Sequence, residues 1–117
     1  MTQDPAPILV TGHYLLRRYK SARGWLEASF PGWPRAARAL ADLGAGLEDE
    51  EFTGGVLWYG LTHAGTRPMR KRIITDRLVR WATRPGAGQW ARRYATTADL
   101  AAAIGDVLDR HLPRRSR

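Results

Sequence analysis

The chain has 117 residues, 44% hydrophobic and 26% charged, a balance that suits one folded domain with an ordinary apolar core. It contains no Cys, which excludes structural disulfides, thiol catalysis and Cys-based zinc sites. The formal charge is +8 and the isoelectric point about 11.0, so polyanions are the favoured partners: nucleic acid, an anionic membrane or an acidic protein face.

The first residues, MTQDPAPILV, place an Asp and two Pro where a secretory signal would carry basic residues ahead of a long apolar run, so no signal peptide is expected. Apolar runs are short, Val56 to Tyr59 for example, against about 20 residues for a membrane span. These features predict a soluble, cytoplasmic protein with no membrane partner. Lys is scarce beside Arg, Ala and Gly, which points to a GC-rich genome and carries no mechanism.

Ile8, Val10, Tyr14 and Leu16 fall at even spacing and predict a first strand over about residues 8–19. A helix from Tyr14 through Leu15, Tyr19, Ala22, Leu26 and Phe30 competes with it. Ser21 is a candidate cap for a helix carrying Ala22, Trp25, Leu26 and Phe30 on one face, stopped by Pro31. Pro34 sits where a first helical residue belongs, and Ala36, Leu40, Leu43 and Leu47 continue the period, with an end near Gly44 or Gly46.

The acidic run LEDEEF, followed by Thr53, Gly54 and Gly55, reads as a loop. VLWYGLTH, rich in strand formers, reads as a strand, and AGTRP as a turn. Met69 to Ala82 reads as a strand or strand pair interrupted near Thr75 and Asp76, RPGAG as a hairpin loop and QWARRYAT as the returning strand. A helical reading of residues 76–83 stays open, since Ile74, Leu78 and Trp81 fit that period and Thr75 is a candidate cap. Thr96 with Asp99 has capping-box spacing ahead of Leu100, Ile104, Val107, Leu108 and His111, which predicts a last helix closed by Pro113. The sum is a single α+β domain over residues 1–117, with about three helices on one face of a small antiparallel sheet and flexible tails at 1–6 and 113–117.

The charge is concentrated. Residues 67–93 hold Arg67, Arg70, Lys71, Arg72, Arg77, Arg80, Arg84, Arg92 and Arg93 against Asp76 alone, so this segment by itself carries the net +8 of the whole chain. Arg suits phosphate because its planar fork bonds two oxygens at once. Trp81, Trp90 and Tyr94 interleave with these residues and are candidates to stack on bases. The plainer readings are a cross-strand core pair of Trp81 and Trp90, and a solvated Arg surface or one paired with the acidic run.

Other patterns are weaker. RALADLGAGLEDEEFTGGVLWY has helix–turn–helix spacing, but its second helix would start with Glu48 to Glu51, which repel phosphate, and meet Gly54 and Gly55. Four adjacent carboxylates diverge from one loop and make a poor metal site; a solvated loop or an acidic helix start explains them better. His13, His63 and His111 have no ligand spacing, and phosphate-loop, dinucleotide and serine-elbow motifs are missing. No catalytic residue, metal or cofactor is expected. The leading expectation is a small non-catalytic protein binding DNA or RNA through an Arg-rich strand or hairpin. The alternative is a phage- or mobile-element-type regulatory or inhibitory protein that docks on an acidic surface of a larger machine through Arg and Trp anchors, with Trp33 the Trp expected to be exposed.

Overall fold

The computed structural model describes residues 22–114, and every regular element among them is helical. Helix α1 covers residues 22–29. Its last bond runs from the Phe30 N–H to the Leu26 carbonyl at 2.8 Å, because Pro31 cannot donate and disfavours helical backbone before it. In α2 (Trp33–Asp42) Pro34 occupies the first turn, and Trp33, Ala36, Ala37 and Leu40 are buried at the spacing of one helical face. The chain then reverses through Gly44, Ala45 and Gly46, all at positive φ (75°, 59° and 80°). Ala45 is the costly member, since its Cβ crowds the following carbonyl in this conformation.

Helix α3 (Glu50–His63) starts where a loop was expected. The Phe52 N–H donates to Asp49 Oδ1 at 3.0 Å, and Glu50 and Glu51 lie in the first turn, where carboxylates meet the positive end of the dipole. Thr53 satisfies its buried hydroxyl by donating to the Asp49 carbonyl. Gly54 and Gly55 continue the helix and are buried, so packing offsets their intrinsic cost of about 1 kcal/mol each.

Helix α4 (Arg67–Ala82) is capped by Thr66, which accepts from the Met69 N–H at 3.4 Å. A single turn of 3₁₀ helix follows at Gln89–Arg92, entered through left-handed Gly88. Helix α5 (Thr97–His111) begins as expected, with Thr96 Oγ1 accepting from the Asp99 N–H at 3.1 Å. Helix α2 packs on α3, α3 on α4, α4 on α5 and α5 on α2, which closes a ring around one apolar core.

The expected α+β architecture is therefore corrected: no strand or sheet occurs among the described residues. Residues 56–63 are helical because an element hydrophobic on all sides is equally a buried helix, and a short apolar run does not separate the two. Residues 69–82 are helical because only the helical period gathers Ile74, Leu78 and Ala82 on one stripe, whereas strand alternation leaves charge on both faces. The helix reaches back past the expected Thr75 cap to Thr66, where the ThrArgPro sequence opens a helix and does not form a free turn. The expected return strand is the 3₁₀ turn and the loop leading to α5. The strand expected over 8–19, the tail at 1–6 and residues 115–117 lie outside the described residues.

Side-chain contacts fix the direction of the pairs. Phe52 meets Trp81, Tyr59 meets Arg77 and Gly60 faces Ile74, so α3 and α4 run antiparallel over their whole length. Arg67 and Lys71 meet Asp109 and Lys71 also covers Gly105, so α5 is antiparallel to α4 on its other side. Helix α4 lies between them, and Arg72, Asp76 and Arg80, four residues apart, remain exposed along it.

Candidate nucleic-acid interface

The antiparallel neighbours of α4 bring their C-termini to its N-terminus, and a helix C-terminus is electronegative with unpaired carbonyls. Basic side chains at the start of α4 answer that need. Arg67 Nη2 donates to the Asp109 carbonyl at 2.7 Å, and to those of Leu108 and Leu112 at 3.4 Å, all at the end of α5. Arg70 Nε donates to the Ala64 carbonyl just past α3 at 2.9 Å. Far along the chain, Arg93 Nη1 closes α2 by donating to Asp42 and Leu43 carbonyls at 3.1 and 3.2 Å. Three arginines of the basic segment thus serve three helix ends.

Two others lie on aromatic rings, an arrangement that attracts a cation to the negative face of the ring. The Arg77 guanidinium sits 4.1 Å above Tyr59 and donates to its hydroxyl at 3.0 Å. Arg84 sits 3.8 Å above Trp81 and donates to the Trp81 carbonyl. Carboxylates pair with three of these cations among the described residues. Lys71 pairs with Asp109 at 2.9 Å, Arg67 is 3.7 Å from the same carboxylate, and Arg80 is 3.4 Å from Asp76. The Lys71 ammonium, bonded to Asp109, holds that carboxyl below its usual range, with Arg67 and Arg114 adding to the effect. Arg72 and Arg92 are exposed and make no hydrogen bond or ion pair among the described residues.

The aromatic candidates of the basic segment are partly buried and make contacts within the fold. Trp81 stacks on Phe52 at 4.2 Å between ring centroids, and its Nε1 donates to the Gly46 carbonyl at 3.1 Å. Trp90 and Tyr94 pack against the core, and the Tyr94 hydroxyl donates to the Leu43 carbonyl. The Trp81 and Trp90 hairpin pair does not exist, since one residue is in α4 and the other in the 3₁₀ turn. Trp33, expected at the surface, is 4% exposed in the core; its Pro and Gly neighbours mark the α1–α2 corner, and the indole starts the buried face of α2.

Exposure falls elsewhere. Trp25 is 44% and Met69 45% exposed, and Arg35, Arg38, Arg110 and Arg114 are exposed cations outside the segment singled out from sequence. Trp25 sits off the Ala22, Leu26 and Phe30 stripe by one position, the signal in the sequence that could have separated it from the core tryptophans. In the α2–turn–α3 unit nine residues of α3 are buried and its first turn is acidic, so this helix presents no basic face. Among the described residues no helix is long and apolar enough to cross a membrane, and no three His, Asp or Glu side chains gather as metal ligands. No family model, curated protein or solved structure matches the chain.

Proposed function

We propose that the protein is a non-catalytic nucleic-acid binder whose positive field comes from residues 67–93 and whose phosphate contacts include Arg80 and Arg92. The observation that carries this is the chemistry of the arginine partners. Arg84 and Arg93 bond backbone carbonyls and Arg84 also lies on the Trp81 indole, all neutral groups. Such contacts fix a guanidinium without cancelling its charge. Among the described residues, Asp109 pairs with Arg67 and Lys71 and Asp76 with Arg80, and no carboxylate pairs with Arg84, Arg92 or Arg93, whose charge therefore remains to act on a polyanion. Binding of this kind is electrostatic and weakly sequence-selective, since phosphate contacts position a protein and base-edge contacts specify sequence.

The test is fluorescence anisotropy of labelled single- and double-stranded DNA and RNA at two salt concentrations. If about five phosphates are neutralised on a duplex, log K falls with log salt at a slope of about −4.5. Arg80→Gln and Arg92→Gln should each make that slope shallower by about 1. No binding at low salt overturns the proposal. The exposure of Trp25 favours a second reading, an acidic protein surface as partner with Trp25 as anchor. Under that reading Trp25→Ala abolishes capture of the partner and leaves nucleic-acid binding absent throughout.

A further inference from the structure

An open groove of about 810 Å³ runs between α4 and α5. It exists because α5 turns Ala98, Ala101, Ala102 and Gly105 toward it, spaced at intervals of three, one and three residues and so on one face. None of these side chains reaches beyond Cβ, so the space beside α4 stays unfilled. A trough of this kind lets another helix approach closely, because interaxial distance is set by the side chains at the contact.

The unpaired charges of the groove identify its occupant. Arg72 lines the α4 wall and Asp106 the α5 wall. Both are exposed, and neither makes an ion pair or hydrogen bond among the described residues. The other carboxylate in the groove, Asp76, already pairs with Arg80. One wall thus offers a free cation and the other a free anion. A two-fold interface brings residue i of one subunit to residue j of the other and j to i. The chain that presents both complementary charges to this groove is the chain itself.

We infer that two copies of this protein associate through the α4–α5 groove about a two-fold axis, with Arg72 of each protomer paired to Asp106 of its partner. The small residues of α5 form the close contact, and the crossed ion pairs set its register, the role for which complementary charges suit an interface. The inference stands apart from nucleic-acid binding, and the contacts assigned to Arg80 and Arg92 lie outside the pair.

Light scattering on the full chain without nucleic acid, over a range of concentration, reads the result directly. The wild type should show the mass of two chains at high concentration. Arg72→Asp and Asp106→Arg should each be monomeric, and the double variant should recover the dimer because it restores opposite charges with the signs exchanged. Ala101→Gln, which changes no charge and places a good helix former at a half-buried position, should also be monomeric through bulk alone. Circular dichroism of each variant establishes that it is folded. A wild type that stays monomeric overturns the inference, as does a dimer that survives Asp106→Arg. A folded double variant that remains monomeric overturns the Arg72–Asp106 pairing.

Discussion

Helices α3 and α4 are antiparallel neighbours of similar length, 14 and 16 residues, yet they are made by opposite means. Helix α3 has carboxylates at its start and nine buried residues, and apart from its ends it is apolar on nearly every side. Helix α4 buries only Ile74, Leu78 and Ala82 and surrounds them with cations. Its first turn holds no acidic residue, so its charge opposes its own dipole and serves the C-termini of its neighbours instead. Helix α3 is held by what it excludes from water, α4 by what it donates. Substitutions in the two should therefore fail differently, and the sizes of those failures measure how far the division holds.

The largest effect belongs to α3. Phe52→Ala removes a buried ring and the stacking partner of Trp81. It should cost about 3–5 kcal/mol in urea unfolding and shift Trp emission to longer wavelength. A loss below about 1 kcal/mol would mean that burial along α3 is not what holds it in the core.

Where the two helices touch most closely, the expected effect is smaller. A Cβ on Gly60 would lie 2.5 Å from Ile74 Cγ1 and 2.7 Å from its Cδ1. Gly60→Ala gains about 1 kcal/mol of helix propensity but overpacks the crossing at a cost of about 1–3 kcal/mol, for a net loss of up to about 2 kcal/mol. In an Ile74→Ala background the same change should be much milder. That coupling, read from a double-mutant cycle, is the direct measure of the contact; two additive losses would show that the helices stand further apart.

Smaller again is the contrast among the arginines. Arg67→Gln and Arg93→Gln each remove a charged donor from carbonyls at a helix end. Each should lower unfolding free energy by about 1 kcal/mol, a charged hydrogen bond discounted for partial exposure. Arg92→Gln should change it by less than about 0.5 kcal/mol while weakening the proposed nucleic-acid binding. Equal losses from all three would erase the distinction between arginines that cap and arginines that face solvent.

The readable parts of the sequence were those with local signals. Thr96 with Asp99 announces α5, Pro31 and Pro34 bracket the α1–α2 corner, and the period of Ala36 and Leu40 marks α2. Helix α3 was hidden because VLWYGLTH is apolar all round, and an element with no polar face has no phase from which to read its period. Helix α4 was hidden by its own arginines. Strand alternation left charge on both faces of residues 69–82, and that failure was itself the sign of a helix, seen only once Ile74, Leu78 and Ala82 are taken together. The basic segment was found as charge, but its division into roles was not. Whether an arginine caps a carbonyl depends on where α5 and α2 end in space, as Arg67 and Arg93 do, and no spacing within residues 67–93 records that. Trp33 and Trp25 were exchanged for the same reason: burial follows the packing of α1 and α2, not the Pro and Gly beside an indole.

The finest test lies at the far end of the α4–α5 pair, where Lys71 and Arg67 converge on Asp109. Their charge lowers the Asp109 pKa from its ordinary 3.8, with the Lys71 hydrogen bond the main cause. A carboxyl whose folded value is depressed binds protons more readily in the unfolded chain, so its contribution to stability is complete above the unfolded value. That contribution is lost as pH falls from about 3.8 through the lower folded value. Asp109→Asn should therefore be less stable than the wild type at neutral pH, by a small margin because the pair is exposed. The gap between their thermal midpoints should close on acidification through that window. The Arg67 bond to the Asp109 carbonyl survives the substitution, so what the comparison isolates is the carboxylate. A gap that stays constant with pH would assign the cohesion of α4 and α5 to the carbonyl caps alone.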